Sequence, residues 1–181
     1  MILFFGPAGS GKSVQGQFLA AIQGWRWLSA GQLLRDTRDP EVLQAQQEGK
    51  LVNSDKVNKI IGDALDRASD INKVIVDGFP RKLEQAKWLV ENRTMHNRSI
   101  GLVIVMEVQR DELMKRLQLR GRVDDTVEAI DDRLRIYRQE IYPILNYFAD
   151  QNINIVHIDG AGTPGQVHDK VMEGLAACKL V

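Results

Sequence analysis

The chain has 181 residues, of which 44% are hydrophobic, enough to fill the core of one ordinary folded unit. Lys plus Arg and Asp plus Glu are balanced at 24 each, so no global basic field draws the chain to nucleic acid or to a membrane surface. The single cysteine, Cys178, cannot close an internal disulfide, and the apolar run of residues 1–5 is too short for a signal peptide or a membrane span, so a reducing cytoplasm is the expected compartment.

In chain order, "MILFF" (1–5) reads as a strand and is followed at once by "GPAGSGKS" (6–13). The second stretch meets the pattern G-x-x-x-x-G-K-[ST], with a strand before it and after it a helix over 12–23 that carries Val14, Phe18 and Ile22 on one face. Glycines at 6, 9 and 11 let the backbone turn its N–H groups inward around phosphate oxygens, and the positive end of the helix adds to that field. Lys12 can reach the β- and γ-phosphates, and Ser13 can hold Mg²⁺. A strand "WRWLS" (25–29) and helices over 32–48 and 54–69 come next, then the strand "KVIVD" (73–77). Asp77, at the end of that strand, suits the second metal-side position of a phosphate-binding loop.

A helix over 81–93, the strand "IGLVIVMEV" (100–108) and a helix over 109–119 lead to the longest helix, over 126–149. There Val127, Ile130, Leu134, Tyr137, Ile141, Ile144 and Phe148 step by three and four along one face, and Pro143 is expected to kink or divide it. The strand "INIVHI" (153–158) and a helix over 164–178 end the series. All strands but the second are nearly continuous apolar runs, as strands buried on both faces by crossover helices must be. The expected class is therefore α/β with a parallel sheet, and without a repeat or linker the chain reads as one unit, 1–181.

The loop motif implies a nucleoside triphosphate and leaves open a kinase for a small acceptor, a hydrolytic switch or motor, and a non-catalytic binding module. A guanine-reading N-K-x-D is absent, and Asp77 is followed by Gly-Phe-Pro-Arg with no adjacent carboxylate of the motor kind. Seven of the fourteen arginines fall between 110 and 138, which suits transfer between two nucleotides, where negative charge sits on both substrates and on the group in flight. His96, His157 and His168 have no metal-ligand spacing, and Trp25 and Trp27 read as packing residues.

"GPAGSGKS", "SAGQLLR" (29–35), "GKLV" (49–52), "DGFPR" (77–81) with Gln85, and "RGRVDD" (120–125) with Arg133 occur in the order found in nucleoside monophosphate kinases. The chain resembles that family over nearly its whole length, and the adenylate kinases most closely. The resemblance implies a P-loop NTPase-type five-stranded parallel sheet flanked by helices, with a small helical monophosphate-binding insert at about 29–58 and a minimal lid at about 120–126. It implies a reversible reaction in which MgATP and AMP give two ADP. Its site residues carry over as follows: Gly9, Ser10, Gly11, Lys12, Ser13 and Val14 on the ATP phosphates, Arg116 on the ATP base and Arg120 on its phosphates. Arg35 and Arg81 would clamp the AMP phosphate, and Gly49, Lys50, Leu51 and Val52 would meet its sugar and base, with Ala30, Gly78, Phe79 and Pro80 lining the same pocket. Gln85 would read the adenine edge, Arg122 and Arg133 would reach the transferring group, and Asp124 and Asp125 would organise the closed site. Lys12, Arg81, Arg120, Arg122 and Arg133 are thus the candidate catalytic residues, with Ser13 and Asp77 as Mg²⁺ ligands, directly or through water. The implied partners are ATP, AMP and ADP, with no structural zinc, nucleic acid or membrane, and a monomer is favoured over an oligomer.

Three positions depart from the family pattern. Ala30 stands where adenylate kinases usually carry Thr and resembles UMP/CMP kinases, whereas Lys82 and Gln85 stand where those kinases tend to carry Asn, so AMP is the expected acceptor. Gln32 replaces a usually acidic residue. In the lid, only Gly121 separates Arg120 from Arg122.

Overall fold

The computed structural model describes residues 1–48, 50–71, 73–93, 96, 98–121 and 126–181, with only the backbone described at Gln46 and Gln47. Five parallel strands, β1 (Ile2–Phe5), β2 (Arg26–Ser29), β3 (Val74–Asp77), β4 (Leu102–Glu107) and β5 (Ile155–Asp159), lie in the order β2-β3-β1-β4-β5. The helices are α1 (Lys12–Gln23), α2 (Ala30–Asp36), α3 (Pro40–Gln47), α4 (Ser54–Asp66), α5 (Leu83–Glu91), α6 (Arg110–Arg120), α7 (Val127–Asp150) and α8 (Pro164–Ala177). The α/β class with a five-stranded parallel sheet is therefore as expected.

Alternation along β1 sorts the core into two layers. Leu3 and Phe5 face one side with Val76, Val103 and Val105, and pack under Ile61 and Leu65 of α4, Leu89 of α5, and Ile144 and Phe148 of α7. Ile2 and Phe4 face the other with Ile75, Leu102 and Ile104, under Leu19 of α1 and Val167, Val171 and Leu175 of α8. Both faces of β1 and β3 are thus closed to water, which is why their sequences are apolar at every position except the last of β3. The chain leaves β1 towards β2 on one side, and β4 lies on the other, so the carboxyl ends of β1 and β3 open into the crevice where ligands of such sheets bind.

Three expectations change. The helix expected over 32–48 is two helices, α2 and α3, separated at 37–39. Pro40 lacks an N–H and disfavours a helical residue before it, Arg38 turns left-handed at φ 57°, and Asp39 Oδ1 caps the new helix from Glu41 N at 2.9 Å and Val42 N at 3.3 Å. On α1, Val14, Phe18 and Ile22 lie on the exposed side, and the buried residues are Gln15, Gly16 and Leu19. Gly16 is needed there because a Cβ would come within 2.5 Å of Trp27 Cδ1. Finally, α7 runs unbroken through Pro143, which lies on its exposed side, so the carbonyl robbed of its donor meets water.

Candidate active site

Residues 6–11 wrap from β1 into α1. Gly6 takes φ 146°, and a Cβ there would sit 2.5 Å from Ser10 Oγ and 2.8 Å from Met106 O, so the loop closes tightly only because the residue is glycine. Inside the turn, Lys12 Nζ donates to Gly6 O at 2.7 Å, Pro7 O at 2.8 Å and Ser10 Oγ at 3.4 Å. Desolvation pushes the Lys12 pKa down from 10.5 to about 8, with Arg81 and Arg120 acting in the same direction and Asp77 opposing. Ser13 Oγ donates to Asp77 Oδ2 at 2.6 Å, joining the first turn of α1 to the buried end of β3. Two hard oxygens, a hydroxyl and a carboxylate, therefore meet beside the loop, a donor set that fits Mg²⁺.

After β3 the chain turns sharply. Gly78 N donates to Phe4 O at 3.3 Å, and Phe79, fully buried, packs edge-on against Trp88 at 6.2 Å between ring centroids. With Phe79 and Pro80 anchored in the core, Arg81 is thrown back over the strand end, where its Nε donates to Gly78 O at 2.9 Å. Desolvation lowers its pKa, as do Arg133 and Arg35, while Asp77 raises it. As a guanidinium it stays charged. These couplings define the site: Lys12 and Arg81 each feel Asp77 and one another, Arg120 acts on Lys12, and Arg35 and Arg133 act on Arg81.

The remaining candidates surround this cluster. Ala30 is buried at the start of α2, and Arg35, one turn on, donates from Nη2 to Gln32 Oε1 at 2.8 Å. Lys50 is exposed and pairs with Glu48 at 2.8 Å, Leu51 is half-buried and Val52 buried. Gln85, only 2% exposed, accepts from Arg81 N through Oε1 at 2.8 Å and donates from Nε2 to Ser54 Oγ at 3.3 Å, and Ser54 in turn bonds Glu84. Across the crevice, Arg116 Nε donates to Glu112 Oε1 at 2.8 Å and its Nη2 to Gly160 O at 3.0 Å. Gly9 is pressed against Leu117 of the same helix, where a Cβ would lie 3.0 Å from Leu117 Cγ. Val14 is 39% exposed on the first turn of α1. Gly49, Arg122, Asp124 and Asp125 lie outside the described residues.

The scaffold and the cation cluster decide the relationship to known proteins when set beside a family comparison: the adenylate kinase family model matches residues 4–153. The chain belongs to the adenylate kinase family. It is similar to the adenylate kinase of Mycolicibacterium paratuberculosis, 35% identical over 177 residues, which span 94% of this chain and 96% of the relative. The adenylate kinases of Mycobacterium ulcerans and Mycobacterium tuberculosis are 35% and 34% identical over 180 residues, 96% of this chain and 98% of each relative. The protein is thus an enzyme, a nucleotide-binding phosphotransferase of the nucleoside monophosphate kinase type.

Gly160 was not among the residues singled out from the sequence, although "DGAG" (159–162) directly after a strand is a visible signal. A Cβ on Gly160 would lie 2.7 Å from Val108 Cγ2, 3.1 Å from Ser10 O and 3.3 Å from Glu107 O. The β5–α8 loop therefore leans directly on the phosphate loop of this adenylate kinase family member. Gly160→Ala is expected to raise the KM for the triphosphate about 5-fold with a much smaller change for the acceptor. Steady-state kinetics varying each nucleotide in turn would measure this, and equal KM values in variant and parent would remove the loop from the nucleotide wall.

Proposed function

We propose that this enzyme transfers the γ-phosphoryl group of MgATP to AMP, reversibly, giving two ADP. The observation that carries the reading is the linked set of cations in which Lys12 and Arg81 stand by Asp77, Arg120 acts on Lys12, and Arg35 and Arg133 act on Arg81. A hydrolase or a binding module needs cations for one nucleotide. Transfer between two needs them on both sides of the moving group, fixed before it moves.

In this reading Gly9 to Val14 cradle the ATP phosphates, with Lys12 on the β- and γ-oxygens, Arg120 beside it and Arg116 against the base. Arg35 and Arg81 clamp the acceptor phosphate, as planar forks suited to bidentate contact. Arg133, with Arg122, meets the group in transit. Lys50, Leu51 and Val52 form the lip over the acceptor, and Ala30, Gly78, Phe79 and Pro80 complete its pocket. The Gln85 amide keeps one N–H and one acceptor lone pair beyond its bonds to Ser54 and Arg81, so it can donate and accept at one base edge. Ser13 and Asp77 would hold Mg²⁺, which when bound neutralises charge on the β- and γ-oxygens. No general base is required, because an oxygen of the acceptor phosphate is already ionised and needs position more than deprotonation.

The segment 29–58 serves as the acceptor-binding insert and 120–126 as a minimal lid of a single unit, working as a cytoplasmic monomer. A second reading, a UMP/CMP kinase, rests on Ala30, buried where a hydroxyl-bearing side chain would be expected for AMP. A coupled assay offering MgATP with AMP, UMP, CMP or GMP separates the two. AMP is expected to be the preferred acceptor, and Gln85→Leu to raise its KM about 10-fold while that of ATP stays within about twofold. Preference of the parent enzyme for UMP or CMP would overturn the assignment.

A further inference from the structure

The amide of Gln85 is held at both ends, and the two bonds together fix which end is oxygen. A backbone N–H can only donate, so the atom that faces Arg81 N at 2.8 Å is Oε1. Nε2 is thereby turned towards Ser54 Oγ, at 3.3 Å. A hydroxyl can donate or accept, and the next member of the chain decides which: Ser54 Oγ donates to Glu84 Oε1, so it meets the amide as an acceptor. The same hydrogen bond, more than Lys82 nearby, holds the Glu84 carboxyl below its ordinary range, so Glu84 accepts and does not donate. Ser54 is free for this task because α4 is capped by its neighbour, Asn53 Oδ1 accepting from Asp55 N at 2.9 Å and Lys56 N at 3.2 Å. Ser54 and Gln85 are both buried, so water offers neither bond a substitute.

The polarity of the amide matters because bases divide by it. Adenine and cytosine present an amino group beside a ring nitrogen with a lone pair, whereas guanine, uracil and hypoxanthine present a carbonyl beside a ring N–H. An amide whose oxygen and nitrogen cannot exchange places matches the first pattern. Against the second it sets donor on donor and acceptor on acceptor, which leaves buried polar groups unpaired.

We infer that Ser54, polarised by Glu84, is a positioning residue that sets acceptor specificity: it locks the Gln85 amide in the polarity that accepts amino-bearing bases and rejects oxo bases. The inference rests on the reading of Gln85 as the residue that meets the acceptor's base.

The test compares the full-length parent with Ser54→Ala, Glu84→Ala and the double variant Ser54→Asp/Glu84→Ala, in which a carboxylate, an acceptor only, stands at position 54 itself. KM and kcat are measured for AMP, for ATP and for inosine monophosphate (IMP), whose base differs from adenine only at this edge, together with the melting temperature. Ser54→Ala and Glu84→Ala are each expected to raise the KM for AMP about 5-fold and to lower the ratio of kcat/KM for AMP to that for IMP by about the same factor. The KM for ATP stays within about twofold and the melting temperature within about 4 °C. The double variant is expected to return the AMP constants and the ratio to within about twofold of the parent. A ratio at the parent's level in Ser54→Ala or in Glu84→Ala, a parallel rise in the KM for ATP, or a double variant no better than Glu84→Ala would overturn the lock. If the parent prefers CMP to AMP, the proposed acceptor fails by itself, and the lock is then read from CMP against UMP in the same variants. A parent that prefers IMP, UMP or GMP to both AMP and CMP would overturn the lock itself.

Discussion

Lys12→Met lowers kcat by about 10²- to 10³-fold while the protein still folds, as measured by steady-state turnover beside far-ultraviolet circular dichroism. Lys12 is held in place without nucleotide. Its ammonium sits in the mouth of the loop on Gly6 O and Pro7 O, where phosphate oxygens would otherwise turn, so a preorganised charge already occupies the place where negative charge develops. Losing one such donor costs on the order of 3 kcal/mol in the transition state. A methionine keeps the length of the stem, and the loop is built by its glycines, so the fold does not depend on the charge. With the free-enzyme pKa held near 8, kcat/KM for ATP falls as pH rises through that value, because a neutral amine cannot pair with phosphate. The stability contribution has the opposite sign: between about 8 and 10.5 the unfolded chain holds a proton that the folded one has released, so raising the pH over that window stabilises the fold. Turnover of Lys12→Met within tenfold of the parent would remove Lys12 from the mechanism.

Arg81→Ala lowers kcat/KM for AMP by about 10³-fold, and kcat/KM for ATP by far less. Arg81 is the member of the cluster that couples to both Arg35 and Arg133 and to Asp77, so its loss leaves the acceptor phosphate facing a clamp with one arm. The turn that carries it is held independently, by Phe79 against Trp88 and by Gln85 Oε1 on the Arg81 backbone N–H, which alanine retains. The variant should therefore fold, and Arg81→Lys should recover only part of the loss, because a point charge does not reproduce a planar fork. Initial rates at fixed MgATP with AMP varied measure the effect. A loss of less than tenfold would remove Arg81 from the clamp.

How much of this was legible in the sequence depends on the range over which each feature is encoded. The loop and its strand were readable because glycine spacing and an apolar run are local properties, and Asp77 because it ends such a run. The face of α7 was readable because its apolar residues repeat over six turns: Ile130, Leu134, Ile141, Ile144 and Phe148 are buried and Tyr137 is partly so, while Val127, at the exposed first residue of the helix, is not. The face of α1 was not, since Val14, Phe18 and Ile22 make the more apolar stripe and yet face water. What decides the burial of Gly16 and Gln15 lies elsewhere in the chain: the ring of Trp27 needs the space above Gly16, and Gln15 bridges to Pro164 O at 2.8 Å and to His168 Nδ1 at 3.1 Å. The break between α2 and α3 had a visible signal in Pro40, overridden by the helical composition on either side. Gln32 was recognisable as a departure from the family pattern, but its tie to Arg35 and Asp36 depends on rotamers no periodicity encodes.

The central place of β1 has a consequence for the order of events during folding. Its two partners lie far along the chain: Leu3 is in register with Val76 on one side and Val103 on the other, about seventy and about a hundred residues later. The closure entropy of each long loop must be met before the corresponding edge of the strand is rewarded with hydrogen bonds, which is the situation that slows folding and exposes apolar segments to wrong partners. The phosphate loop inherits this delay, because Asp77 arrives with β3 and the Met106 carbonyl that packs against Gly6 arrives with β4. During synthesis, nucleotide affinity is accordingly expected to appear only after Glu107 has left the ribosome, as a late reporter that β1, β3 and β4 have paired.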